Sequence, residues 1–158
     1  MNRLACIIFQ LIGLTYCTDC PDGWFAFEGS CYLIGSHAMH FTEAESYCRQ
    51  HGGNLVHVET RTEDLFLKGF IHTHLAGKDY WIGMTDETIE GVWRWYGTGT
   101  NVRFTDWAPT EPQDNGHGED CAVFHHPNYQ WADVPCASNR IPFCEKKVGG
   151  GELVSVIG

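Results

Sequence analysis

A polar segment at residues 110–121, TEPQDNGHGEDC, contains the side chains best suited to chemistry in this chain. It holds four carboxylates, two side-chain amides and two glycines, without the hydrophobic period of a helix or a strand. Clustered carboxylates repel one another unless a cation neutralises them, and calcium takes about six to eight oxygen ligands in flexible geometry. The oxygen-bearing candidates are Glu111, Gln113, Asp114, Asn115, Glu119 and Asp120.

A second group of acids lies upstream at residues 86–90, with the sequence DETIE. Oxygen ligands without thiolates or clustered imidazoles favour a hard cation over zinc. The acids do not have the spacing of an EF-hand loop, so any calcium site must be assembled from separate segments. An acidic loop on an acidic protein is otherwise a solvated surface, and on composition alone this alternative stays open.

The composition is that of an acidic protein with one packed domain, since 43% of its 158 residues are hydrophobic. The net charge is −10, and no basic stripe is present to neutralise phosphates. We therefore expect no binding to nucleic acid or to an anionic membrane. The chain contains no nucleophile motif, no G-x-G-x-x-G and no Walker loop, so we expect a binding protein and no enzyme.

Residues 1–17 have the features of a secretory signal peptide, with a basic start and a short apolar run. Cleavage after Cys17 leaves an even number of cysteines, which predicts disulfides and an oxidising compartment. We therefore expect a secreted, extracellular protein without membrane insertion. Cleavage before Cys17 would leave an odd thiol for an intermolecular bridge, so an oligomer is possible. The cysteines that remain after cleavage are Cys20, Cys31, Cys48, Cys121, Cys136 and Cys144.

Local patterns predict a hairpin and two helices ahead of the polar segment. Aromatic residues on either side of a turn predict a hairpin over residues 20–34. A capping box that begins at Thr42 predicts a helix over residues 43–51. The same spacing begins again at Thr60, and apolar residues at helical spacing continue until Gly77.

A long loop is predicted at residues 97–120, between short strands on both sides. A loop of this length in a compact domain is a functional candidate. Residues 148–158 predict a flexible tail. The predicted strands lie at 80–84, 91–96, 121–124, 129–132 and 142–145.

Taken together, these segments resemble the C-type lectin domain, from Cys20 to Glu145. The matching stretches are CPDGW at 20–24, WIGM at 81–84, TDE at 85–87, EP at 111–112, GEDC at 118–121, WAD at 131–133 and CE at 144–145. The resemblance implies an α+β fold over residues 18–147, with two helices, short antiparallel strands and a long calcium-binding loop. It also implies three disulfides, namely Cys20–Cys31, Cys48–Cys144 and Cys121–Cys136.

The resemblance further implies two sets of calcium ligands. The auxiliary set is Asp86, Glu90, Asp114, Glu119 and Asp120. The principal set, which also binds sugar, uses Glu111, Gln113, Glu119, position 132 and Asp133. The peptide bond before Pro112 is expected to be cis, which directs the flanking side chains towards the ion.

Two residues of the principal site depart from the family pattern. Gln113 follows Glu111-Pro112 where mannose-type members have Asn, and Ala132 replaces the Asn of the usual Trp-Asn-Asp. Without an amide at position 132, the ion loses one ligand and the sugar loses one donor. The resemblance implies a calcium-dependent lectin with weak sugar binding of the mannose type and an innate-immune or agglutinating role. The alternative is a lectin-fold module without sugar binding that acts on protein, matrix or mineral.

Overall fold

The computed structural model describes residues 5–9, 14–18, 20–116 and 118–148, and for residues 5–9 and 14–18 it describes the backbone alone. Strand β1 (Ala5–Phe9) pairs antiparallel with β2 (Leu14–Thr18). All but Thr18 of these two strands lies in the segment predicted as a signal peptide, whose cleavage stays a prediction. The predicted tail at 148–158 lies outside the described residues beyond Val148.

The first helix, α1, spans Phe41–Gln50 and begins earlier than the sequence predicts. Its N-cap is His40, whose backbone N–H donates to Glu43 Oε2 at 3.3 Å. The predicted cap at Thr42 is therefore wrong. Glu45, which was expected to complete that capping box, is only 3% exposed and accepts a backbone N–H from the following strand instead.

The second helix, α2, spans Arg61–His74 and confirms the predicted start. The Thr60 hydroxyl accepts the backbone N–H of Glu63 at 3.2 Å, as an N-cap does. Leu67 and Ile71 are fully buried on one face of the helix. Among the described residues, no helix is long and apolar enough to cross a bilayer.

The remaining strands form two antiparallel sheets, each of four strands. The first sheet has the order β3, β4, β10, β5 and contains the predicted amino-terminal hairpin. The second has the order β7, β6, β8, β9, so the polar loop connects two of its members, β7 and β8. The strands are β3 (Phe25–Phe27), β4 (Ser30–Ile34), β5 (Asn54–Leu55), β6 (Tyr80–Thr85), β7 (Arg94–Trp95), β8 (Cys121–His125), β9 (Gln130–Val134) and β10 (Phe143–Lys147).

The three expected disulfides are present. One staples the amino-terminal hairpin, a second joins α1 to β10 across 96 residues, and the third closes the β8–β9 hairpin. Bridges over long loops restrict the unfolded chain most. The pairs are Cys20–Cys31, Cys48–Cys144 and Cys121–Cys136.

Apolar side chains pack on both faces of the second sheet, because successive residues of a strand point to opposite faces. Trp81 and Val123 face one cluster, where the ring of Trp81 meets Phe41 of α1 edge to face at 5.4 Å. Ile82 and Phe124 face the other cluster. A sheet packed in this way is a rigid base for the loop at its edge.

The long loop is held to this base by aromatic packing. Trp107 lies half-buried, with its ring 4.9 Å from that of Trp93 and 6.0 Å from that of Trp131. The side chain therefore anchors the loop to the core. Apart from isolated bridges such as Trp107 with Trp131, the described part of residues 97–120 contains no helix or strand.

Candidate metal centre

A buried charge cluster ties the start of the polar loop to α2. Lys68 lies 2.8 Å from Asp64 and also contacts Asp106 of the loop, although its side chain is only 11% exposed. Asp64 Oδ1 accepts the indole N–H of Trp131 at 2.9 Å, so the cluster also reaches β9. Burial raises the pKa of Asp64, and the hydrogen bond and charge of Lys68 oppose this rise. The acid–base pair at helical spacing was visible in the sequence, but its loop partner was not.

Asp133 of β9 forms the centre around which the loop closes. Asp133 is buried, with only 4% of its surface exposed to solvent. The carboxylate accepts the backbone N–H of Gln113 at 3.1 Å and that of Asp114 at 2.7 Å. These bonds hold the middle of the loop against the edge of the sheet, since β9 is the last strand in the order.

Glu111 lies beside Asp133, and the pKa of its carboxyl group is raised well above the ordinary value. The bond between Glu111 and Pro112 is cis, as the resemblance implies. Glu111 Oε1 accepts the amide of Gln113 at 2.9 Å, whereas Oε2 is buried without a hydrogen-bond partner among the described residues. Partial burial and the nearby negative charges of Asp133 and Glu119 raise the pKa of Glu111 to about 7. These charges favour the protonated form of Glu111, and a bound cation would oppose that effect.

A second group of carboxylates, from Asp86, Glu90 and Asp120, lies next along the loop. One oxygen from each of the three lies within 4.8 Å of the others. Asp86 is only 4% exposed, and its Oδ2 accepts the backbone N–H of Gly91 at 2.9 Å. Its Oδ1 is buried without a hydrogen-bond partner in the described part of the chain. Burial, followed by the charges of Asp120 and Asp133, raises the pKa of Asp86.

Asp114 and Glu119 organise the loop between these two groups. Asp114 has a positive φ of 44°, and its Oδ1 accepts the backbone N–H of Gly118 at 2.6 Å and that of Glu119 at 3.2 Å. Glu119 Oε2 accepts the backbone N–H of Asn115 at 2.9 Å. Both carboxylates thus close the turn of the loop with bonds to its own backbone.

Ala132 contributes no oxygen to the centre. It is 6% exposed and pairs with Val123 of β8, and its methyl group packs in the apolar cluster that includes Trp81. The side chain at the position implied as a ligand therefore packs in the core, whereas the neighbouring Asp133 binds the loop backbone.

The donor set fits a hard divalent cation. Each group contains a buried carboxylate oxygen without a hydrogen-bond partner among the described residues, Oε2 of Glu111 in one and Oδ1 of Asp86 in the other. An unsatisfied buried carboxylate is costly, and a cation removes that cost. The atoms available are carboxylate and amide oxygens, which suit calcium better than zinc. Among the described residues, the carboxylates shown to converge are those of Asp86, Glu90 and Asp120, and the alanine at position 132 has no side-chain oxygen to offer.

A family model described as "Lectin C-type domain" matches residues 37–146. Human C-type lectin domain family 17, member A is 34% identical over 142 residues, which cover 89% of this chain and 36% of that protein. Perlucin from Haliotis laevigata is 32% identical over 130 residues, covering 81% of this chain and 83% of perlucin. The chain thus spans less than half the length of several curated relatives, but most of perlucin.

Solved structures with this fold include both sugar-recognition domains and other proteins. The mouse scavenger receptor C-type lectin carbohydrate-recognition domain superposes with a TM-score of 0.74 at 31% identity, covering 83% of this chain and 98% of that domain. A calcium-independent type II antifreeze protein superposes with a TM-score of 0.72 at 28% identity, covering 82% and 95%. The fold by itself is therefore compatible with more than one kind of ligand.

Proposed function

Because the chain belongs to the C-type lectin domain family, we propose that it is a secreted, calcium-dependent carbohydrate-binding protein with a non-standard sugar site. The principal site would use Glu111, Gln113, Glu119 and Asp133. The auxiliary site would use Asp86, Glu90, Asp114, Glu119 and Asp120, so Glu119 would serve both sites. The signal peptide predicted at residues 1–17 supports export.

The observation that carries the proposal is a pair of carboxylate oxygens with no hydrogen-bond partner in the described part of the chain. Glu111 Oε2 and Asp86 Oδ1 are both buried, and both belong to clusters of acids. A protein that never bound a cation would bury these groups at a cost and gain nothing from them. Their position beside a loop fixed to α2 and β9 supports the proposal, because a fixed loop would hold ligands in place for a cation.

Bound calcium would supply coordination positions that two neighbouring hydroxyls of a sugar can fill. Glu111 and Asp133 would accept hydrogen bonds from those hydroxyls, and the amide of Gln113 would donate one. The order of an acid followed by an amide, Glu111 then Gln113, favours mannose-type hydroxyl geometry. In the described structure this amide donates to Glu111, so it must turn towards the sugar when the ion binds.

Sugar binding should be weak at each site because Ala132 offers neither a ligand nor a donor. Water can complete the shell of the ion, but it cannot orient a sugar hydroxyl as a fixed side chain does. A hydrogen bond to a charged group contributes about 1.5–3 kcal/mol. Loss of one such bond corresponds to about one to two decades in affinity.

A glycan array in calcium and in chelator tests the proposal, followed by calorimetry with the best monosaccharide. Glu111→Gln keeps the shape of the side chain and removes its charge, so sugar binding should be lost. Asp22→Asn removes one exposed carboxylate outside the loop and should bind sugar as the parent does. Equal binding in calcium and chelator, or equal binding by Glu111→Gln and the parent, would contradict the proposal.

The second candidate is a lectin-fold module without sugar binding, which acts on protein, matrix or mineral. The observation that favours it is the buried methyl of Ala132, because a site selected for sugar would be expected to keep the amide. An array without any calcium-dependent signal, together with retained calcium binding, would favour this function.

A further inference from the structure

A groove with a positive wall lies on the side of the molecule where β7 turns into the long loop. Its volume is about 630 Å³, within the range of small-ligand sites. The groove combines two guanidinium groups with aromatic and hydrogen-bonding side chains. Its principal lining residues are Arg94, Trp95, Thr100, Asn101, Arg103 and Phe104, and we call it the arginine groove.

The two arginines of this groove lack the partners that other arginines have. Arg49, Arg61 and Arg140 each lie within 4.0 Å of a carboxylate. Among the described residues, neither Arg94 nor Arg103 has a carboxylate at that distance. Unpaired guanidinium groups are unexpected in a chain of net charge −10, where acids outnumber bases two to one.

The guanidinium of Arg94 is also incompletely satisfied. Its side chain is half-buried, and Nε is shielded from water without a hydrogen-bond acceptor in the described structure. A buried donor without an acceptor costs more than an exposed one, and an oxyanion in the groove would supply that acceptor. A guanidinium suits this task because its fixed fork of donors matches the oxygens of a carboxylate or an oxyacid.

The one acid that lines the groove does not cancel this charge. Glu59 pairs with Lys147 at 2.6 Å, so its carboxylate already has a cationic partner. The groove therefore keeps the positive charge of two arginines, although the rest of the surface repels anions. A long polyanion would meet that repulsion along its whole length, whereas a small ligand with one or two anionic groups would not.

We propose that the arginine groove binds a saccharide that carries a sulfate or a carboxylate group, independently of calcium. The anionic group would lie against Arg94 and Arg103, and the Thr100 hydroxyl and the Asn101 amide would meet sugar hydroxyls. Phe104, half-buried in the wall, would contact the apolar face of the ring. None of these residues belongs to the proposed calcium centre, so the groove would act as a second site with its own selectivity.

The test is calorimetry of the full chain in chelator, with three disaccharides of similar size: one sulfated, one with an unsulfated uronic acid and one neutral. We expect binding of the sulfated or the uronic disaccharide and none of the neutral one, and the preferred probe identifies the anionic group. Arg103 is exposed, so Arg103→Gln should fold normally. Arg94→Gln removes the shielded Nε–H donor. Each should weaken binding about tenfold.

Lys78→Gln is the matched control, since it removes one exposed cation outside the groove. It should leave the affinity unchanged. Equal weakening by Lys78→Gln would show general charge attraction and overturn the proposal, as would equal binding of the neutral disaccharide or no binding of either anionic one. Because these measurements are made in chelator, they stand whether or not the calcium-dependent sugar site exists.

Discussion

Calcium binding at Glu111 should depend steeply on pH near neutrality. Glu111 has a pKa of about 7 before the ion binds, and an ion can bind only after the proton has left. The ionised fraction of such a group is about nine-tenths at pH 8, one half at pH 7 and one-tenth at pH 6. The apparent association constant should therefore fall by about tenfold from pH 8 to pH 6, which corresponds to ~1.4 kcal/mol.

The same titration predicts proton release and the sign of the stability change. About half a proton should leave with each ion bound at pH 7, since half of the Glu111 side chains are then protonated. Without calcium, the folded protein holds this proton at pH values where the unfolded chain has lost it. The stability of the calcium-free protein should consequently fall as the pH rises from about 4.5 to about 7.

Calorimetry in buffers with different ionisation enthalpies measures both the affinity and the released proton. Glu111→Gln provides the comparison, because an amide does not titrate and any ion that it still binds reports the cluster of Asp86, Glu90 and Asp120. The calcium affinity of the parent should fall about tenfold from pH 8 to pH 6, and its heat of binding should depend on the buffer. In the variant, both the change of affinity with pH and the change of heat with buffer should be smaller. An affinity that stays constant between pH 8 and pH 6, with no proton released, would show that Glu111 is not a ligand.

Further predictions concern stability and the substituted ligand position. Free calcium at 100 times its dissociation constant should stabilise the fold by about 2.7 kcal/mol, and equal melting temperatures in calcium and chelator would contradict this. Lys68→Met should destabilise the protein by about 3–5 kcal/mol in urea, because Asp64 and Asp106 would lose their shared buried cation. The control Lys78→Met, at an exposed lysine, should change stability by about 0.5 kcal/mol or less. Ala132→Asn should raise sugar affinity about tenfold. It should also lower the melting temperature, because an amide replaces a buried methyl group. An unchanged sugar affinity would show that position 132 does not reach the sugar.

Much of the architecture follows from short-range patterns in the chain. Thr60 caps α2 as its spacing predicts, because a cap depends on residues three positions apart. The cysteines, the strand WIGM and the acids of residues 110–121 identify the domain and its candidate ligands. These signals are readable because each is formed by neighbours in sequence or by a familiar combination of residue types.

Other features arise only when distant segments pack together. His40 caps α1 in place of Thr42, and the buried Glu45 accepts the backbone N–H of Leu55 instead of completing a capping box. Lys68 joins Asp64 to Asp106 across the loop, and no local pattern identifies that partner.

The same limit applies to the functional surfaces. The sequence shows that residue 111 is a glutamate, but the pKa of its carboxyl group depends on the nearby charge of Asp133 and on the burial of the group. Nothing in the sequence distinguishes Arg94 and Arg103, and they line one groove only because β7 and the long loop fold next to each other. Charge and residue type are properties of the chain, whereas burial and partners are properties of the folded molecule, and the chemistry of each site depends on both.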